Sequence, residues 1–141
     1  MSVEKNKALL HHYMKAVWDE ENPAAVNEFL APHYKRHRSP TSPPLTRDSQ
    51  MQLLNGFRAA FPDIQIMVEE IIAEGDMVTF RSTMRGTHQG KFLNIAPTGK
   101  VVTVGLIDII RVENGKFVEQ WGGPNLFDLL QQLGAEFSTG I

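Results

Sequence analysis

Residues 78–88 read VTFRSTMRGTH and residues 101–112 read VVTVGLIDIIRV, and the alternation within them decides the fold class. In the first stretch Val78, Phe80, Ser82, Met84, Gly86 and His88 fall on one face of an extended chain, with Thr79, Arg81, Thr83, Arg85 and Thr87 on the other. In the second, Val102, Val104, Leu106, Asp108 and Ile110 share a face. The opposite face carries Val101, Thr103, Gly105, Ile107 and Ile109, which predicts a strand covered on both sides and central in its sheet. Asn114-Gly115 is the strongest short hairpin signal in the chain, and Lys116–Trp121 pairs back from it. Upstream, Ile64, Ile66, Val68, Ile71 and Ile72, closed by Gly75-Asp76, predict the strand that forms a hairpin with residues 78–88.

Outside this meander the spacing is helical. Leu10, Tyr13, Met14, Val17 and Trp18 form one stripe of a first helix spanning Val3 to Trp18. Asn22-Pro23 starts a short second helix through Val26, Phe29 and Leu30, ending near Pro32. From Tyr34 to Leu45, Arg, Ser, Thr and the prolines Pro40, Pro43 and Pro44 predict a long loop. Thr46 caps a third helix through Leu54, Phe57 and Phe61 to Pro62. Leu126, Leu129, Leu130 and Leu133 give a last helix with Gly134 as its C-cap. Three helices followed by long antiparallel strands make an α+β domain, residues 1–141 as one unit, in which a curved antiparallel sheet wraps the three N-terminal helices and leaves an internal pocket at its open end.

Composition narrows the function. The chain has 141 residues, and its 14 Lys and Arg against 16 Asp and Glu leave a net charge of −2, so no basic field favours nucleic acid or an anionic membrane. There is no cysteine, which removes disulfides, thiolate nucleophiles and thiolate metal sites. No stretch approaches the roughly 20 apolar residues of a membrane span. The opening MSVEKNKALL lacks the apolar run of a secretory signal, so a cytoplasmic protein is expected.

Several segments in order carry a resemblance. They are Leu30-Ala31-Pro32-x-Tyr34-x-x-His37, Phe61-Pro62-Asp63, Gly86-Thr87-His88-x-Gly90-x-Phe92, Pro97-Thr98-Gly99-Lys100, Gly115-Lys116-Phe117-Val118-Glu119-x-Trp121 and Gln132-Leu133-Gly134. Together they resemble the SnoaL-like polyketide cyclase, or ester cyclase, family, with the cone-shaped α+β fold of nuclear transport factor 2. The resemblance implies an intramolecular aldol ring closure on a polyketide ester, an acid/base carboxylate and no cofactor. The position four residues after the tryptophan is commonly acidic in the family and is Asn125 here. An amide does not exchange a proton at neutral pH, so the acid/base must stand elsewhere or the protein must be non-catalytic.

Four residues are therefore catalytic candidates. His88 ends the apolar face of its strand as a possible general base, against the alternative of a satisfied structural histidine. Asp108 interrupts an apolar face, and a carboxylate there must be paired or protonated; the pairing candidates are Arg81, Arg85 and Arg111. His37 opens the proline-rich loop, and Glu119, taken to share a face with Phe117 and Trp121 while Gln120 points away, is an alternative acid. His88 and Asp108 are expected to titrate as a coupled pair if they meet. Trp121, Asn125, Phe57, Phe61, Tyr34 and Leu106 are the candidate ligand contacts. His33 and His37 lack a third ligand, so no metal site is expected, and Lys35-Arg36-His37-Arg38 reads as a solvated edge or as carboxylate anchors at the pocket mouth.

The leading expectation is a small cofactor-free enzyme that moves protons on a hydrophobic carbonyl or ester compound, in the manner of an aldol cyclase. Alternatives are an isomerase or hydrolase on the same scaffold, or a non-catalytic small-molecule-binding or dimerisation module. Partners are a small hydrophobic molecule and, through the convex face of the sheet, a second copy in a homodimer or higher homo-oligomer.

Overall fold

The structure, a computed structural model, describes residues 2–136. Helix α1 (Val3–Met14) starts at Ser2, whose hydroxyl accepts from the Lys5 amide at 3.1 Å, and runs on into a π-helical turn, Lys15–Asp19. That extra turn keeps Val17 and Trp18 on the buried stripe predicted for a single helix. A 3-10 turn, Pro23–Ala25, leads into the four-residue α2 (Val26–Phe29). Helix α3 (Arg47–Ala60) opens on a capping box between Thr46 and Ser49, as two orphan amide donors at a helix start require. The strands are β1 (Leu30–His37), β2 (Gln65–Glu74), β3 (Met77–Thr87), β4 (Val101–Glu113) and β5 (Lys116–Pro124), with α4 (Leu126–Gln132) after them. The five strands form one curved, unclosed sheet in the order β1-β5-β4-β3-β2. The fold is α+β, as expected.

Three details depart from the sequence reading. Residues 30–37, read as a helix end and the start of a loop, form a strand that pairs parallel with β5, so the sheet is antiparallel only from β2 to β5. Pro32 is tolerated because β1 is an edge strand with an irregular register between Leu30 and Lys35. Its inward residues are Tyr34 and Arg36, and the charge on Arg36 hid the alternation. Second, β4 is central but covered on one face only: Val101 is 54% and Ile107 61% exposed. Third, the register of β4 and β5 shifts between Arg111 and Val112. This bulge buries both Phe117 and Val118 and turns Gln120 inward, so Glu119 and Trp121 lie on the outer face rather than with Phe117.

Two apolar clusters fill the inner side. The first packs Leu10, Tyr13, Val17, Leu54, Phe80 and Ile110 between the helices and the sheet. The second gathers Phe61, Met84, Phe92, Val102, Val104 and Leu129 under α4.

Candidate functional site

Between α1, α3 and the inner face of the sheet lies a cavity of about 60 Å³. A water needs roughly 10–15 Å³ on the same scale, so the space is a few waters in size. Leu53, Leu54, Phe57, Ile66, Met84 and Leu106 supply an apolar wall. Leu53, Phe57 and Leu106 keep partial exposure and so mark the rim. The polar groups in this wall are few: Arg36 from β1, Gln50 and Tyr13 from the helices, Ser82 from β3, Asp108 from β4 and Gln120 from β5.

Asp108 is the centre of that set and is 3% exposed. Gln120 Nε2 donates to its Oδ1 at 3.0 Å, and Arg36 Nη2 lies 3.6 Å from the same oxygen. Oδ2 has no hydrogen bond among the described residues. Burial pushes the Asp108 carboxyl above the usual carboxylate range, and the Arg36 charge and the Gln120 hydrogen bond only partly oppose it. The pairing arginine is therefore none of the three expected. Arg81 pairs with Glu70, Arg111 pairs with Glu119 and Glu113, and Arg85 is exposed.

Neighbours fix the polar groups in place. Arg36 donates from Nη1 to Gln50 Oε1 at 3.2 Å and from Nη2 to the Gly122 carbonyl at 2.9 Å. Tyr34 donates to Gln120 Oε1 at 2.5 Å, which aims the amide's nitrogen at Asp108. Burial raises the phenols of Tyr13 and Tyr34 well above their ordinary range, so both stay neutral donors. Gly122 and Gly123 make the arrangement possible. Both have positive φ, +94° and +137°, and a Cβ at Gly123 would stand 2.5 Å from Arg36 Nη2, while one at Gly122 would stand 2.1 Å from the Ile107 carbonyl oxygen.

Of the predicted residues, the cavity brings together Asp108, Leu106 and Phe57, with Tyr34 supporting it from behind. His88 shares the inward face with Asp108 but not the cavity. The residue opposite Asp108 is Phe80, and His88 lies eight positions further along the chain, roughly 26 Å at strand spacing. The expected His88–Asp108 pair does not form. The Thr98 amide donates to His88 Nδ1 at 3.2 Å, and the ring packs 5.5 Å from that of Phe61, which belongs to the second cluster.

His37, Glu119 and Trp121 form a separate group on the outer face. His37 Nε2 is 2.8 Å from Glu119 Oε2 and its ring stacks on Trp121 at 5.2 Å. Hydrogen bonds from Arg111 and then His37 hold the Glu119 carboxyl below its ordinary range, so it is a poor proton donor. Asn125 is exposed and caps α4, its side-chain oxygen accepting from the Asp128 amide at 3.1 Å. In the sequence Arg36 is one of a basic run readable as a solvated edge or as carboxylate anchors, Gln120 reads as outward-pointing, and Gln50 carries no signal. The missed signals were the alternation of Tyr34 with Arg36 and the bulge that inverts β5. Among the described residues no group of three or more His, Asp or Glu side chains is placed to hold a metal, and no helix is long and apolar enough to cross a membrane.

Comparison with known proteins adds the lineage. The model of a family described as SnoaL-like polyketide cyclase matches residues 8–133. AclR of Streptomyces galilaeus, described as a candidate hydroxylase, is 33% identical with a TM-score of 0.84, over 94% of this chain and 98% of AclR. TsrD of Streptomyces laurentii is 26% identical with a TM-score of 0.84, over 96% and 99% of the two chains. IdmH of Streptomyces antibioticus, described as a candidate polyketide cyclase, is 27% identical with a TM-score of 0.79, over 92% and 99%. No curated protein matches the sequence.

Proposed function

The chain belongs to the SnoaL-like polyketide cyclase family, and from that premise we propose that it is an acid/base enzyme acting on a hydrophobic polyketide-type carbonyl or ester compound, with Asp108 as its proton acceptor. The observation that carries this reading is a single carboxylate, 3% exposed, in an apolar cavity with one oxygen left unbonded. An apolar site raises the basicity of a carboxylate, which matches a weak carbon acid better than a solvated aspartate does.

In the proposed reaction Asp108 removes a proton from carbon next to a carbonyl. The resulting enolate carbon bonds to a second carbonyl carbon of the same molecule, and the new alkoxide recovers the proton from Asp108. The sum is an isomerisation that consumes nothing. Arg36 and Gln120 position the carboxylate through Oδ1 and leave Oδ2 for the proton. His88, His37 and Glu119 have no place in this scheme, since none lines the cavity.

Proton abstraction can be read without the natural substrate, by mass spectrometry of deuterium entering the α-carbon of 1-tetralone in D2O. Exchange above the buffer rate supports the enzyme; binding without exchange supports the non-catalytic module instead. The likeness to AclR favours a second reading, hydroxylation, which would also consume dioxygen and two electrons from a reductant; product mass and dioxygen uptake separate the two.

Arg36→Met should move the acid limb of the exchange rate to higher pH. Removing the cation leaves burial opposed only by Gln120, so Asp108 ionises at higher pH. An unmoved limb would mean that Arg36 does not act on the carboxylate.

We also propose a cytoplasmic, self-associating protein. Val101, Ile107 and Ile109 on the outer face of β4 support association. Sedimentation should give a dimer or larger species at micromolar concentration, and a clean monomer would refute it.

A further inference from the structure

Two buried polar atoms of the cavity wall have no hydrogen-bond partner among the described residues, Arg36 Nε and Ser82 Oγ. Arg36 is 7% exposed and Ser82 1%. The guanidinium is already anchored through its other two nitrogens, on Gln50 and on the Gly122 carbonyl, so Nε is not needed to hold it in place. Ser82 stands on the inward face between Phe80 and Met84, where an alanine would pack without leaving a polar atom unsatisfied. A buried polar group left without a partner costs about 1–3 kcal/mol. The other buried unpartnered atoms, on Asn6, Arg58 and His88, do not line this cavity.

The β3–β4 ladder fixes where Ser82 stands relative to the carboxylate. Phe80 lies opposite Asp108 and Ser82 opposite Leu106, so Ser82 and Asp108 are diagonal neighbours on one face, about 7–8 Å apart along the backbone. A substrate carbonyl lying between them can turn its oxygen to Ser82 and the hydrogen of its α-carbon to Asp108. Arg36 reaches the same space from β1, with Nη2 3.6 Å from Asp108 Oδ1.

We propose that Arg36 Nε and Ser82 Oγ form the subsite for the oxygen of the substrate's enolisable carbonyl. This rests on the reading of Asp108 as the base. As the α-carbon–hydrogen bond breaks, the proton goes to Asp108 Oδ2, the bonding pair becomes the new carbon–carbon π bond, and the carbonyl π pair moves onto oxygen. The two donors meet that oxygen where its charge develops, inside an apolar wall that strengthens them. The ligand class follows from the chemistry: a flat hydrophobic compound with an oxygen that becomes anionic. Enolates and phenolates should bind, and the same ring without the oxygen should not.

The probe is 4-nitrophenol, whose phenolate absorbs in the visible and whose oxygen stands for the enolate oxygen. It is titrated against the full-length protein at alkaline pH, with nitrobenzene as the ring lacking the hydroxyl. The wild type should bind the phenolate at least about tenfold more tightly than nitrobenzene, the equivalent of one hydrogen bond to a charged group. Ser82→Ala should remove about that factor for the phenolate alone and leave nitrobenzene affinity in place, with the thermal midpoint of the unliganded protein held or raised because an unsatisfied hydroxyl is gone, while Ser82→Thr restores binding. Arg36→Lys, which keeps a cation and loses the Nε donor, should weaken the phenolate in the same way. Asp108→Asn should tighten the phenolate by removing the opposing charge. No phenolate binding by the wild type, or equal affinity in Ser82→Ala, overturns the subsite. If Ser82→Ala weakens binding and Asp108→Asn changes nothing, the subsite stands and the base reading falls; the reverse pattern spares the base and removes the subsite.

Discussion

Asp108→Asn should lower the α-proton exchange rate by ~10²–10⁴-fold, the range for loss of a positioned general base, without unfolding the protein. The amide matches the carboxylate in shape and can still accept from Gln120 Nε2, now 3.0 Å from Oδ1, but it takes up no proton. The pH dependence gives a second reading of the same group. Burial raises the folded-state pKa of Asp108 above its unfolded value, so its contribution to stability is fully present below the ordinary carboxylate range and is lost as pH rises through the raised value. The wild type should therefore lose stability across that window as its exchange activity appears, and Asp108→Asn should flatten both profiles together. His88→Ala is the contrasting case. Its ring sits in the second cluster and accepts from the Thr98 amide, so the substitution should lower the thermal midpoint while the acid limb of activity stays where it was. An acid limb that moves with His88, or an Asp108→Asn variant with wild-type exchange, would take the chemistry away from this cavity.

The residues that were legible are those whose pattern is set by one strand alone. The inward face of β3, from Val78 through Phe80, Ser82 and Met84 to Gly86, follows from alternation, and so does the placing of Asp108 on the inner face of β4. A carboxyl group amid Val104, Leu106 and Ile110 must be paired or shifted toward its protonated form, and Asp108 has both a partner in Arg36 and a raised pKa. What stayed hidden depends on geometry between strands. The bulge between Arg111 and Val112 is a property of the β4–β5 pair, and it reverses the facing of every residue after Phe117, exchanging Gln120 for Glu119 and Trp121. Arg36 was hidden for a different reason. Lys35, Arg36 and Arg38 look alike in sequence, yet only Arg36 is buried, because Gln50, the Gly122 carbonyl and Asp108 meet it and because Gly123 carries no Cβ to block it. The family motif that drew attention to His88 and His37 points to residues outside this cavity: His88 accepts from the Thr98 amide, and His37 meets Glu119 across β1 and β5 on the outer face.

Phe61→Ala should cost about 3–5 kcal/mol, the largest stability loss expected of any single truncation considered. Phe61 is 0% exposed, and its ring lies 5.7 Å from that of Phe92 and 5.5 Å from that of His88. Gly86 packs directly on it: a Cβ there would stand 3.0 Å from Phe61 Cβ, so the strand and the end of α3 are already as close as they can come. They cannot move in to fill the void, and a site that cannot collapse loses cavity energy as well as transfer energy. At about 2–4 °C per kcal/mol for a chain near this size, the midpoint should fall by roughly 10 °C. The activity of the fraction that remains folded should change little, because Phe61 belongs to the cluster under α4 and not to the cavity around Asp108. Phe61→Ala with Phe92→Ala should cost less than the two singles added, since the rings share one contact. A loss below ~1 kcal/mol would put Phe61 at a site open to solvent and break the second cluster apart. A large loss accompanied by an equal loss of exchange per folded molecule would instead show that the two clusters act as one, and that the cavity's geometry depends on packing at the far end of the sheet.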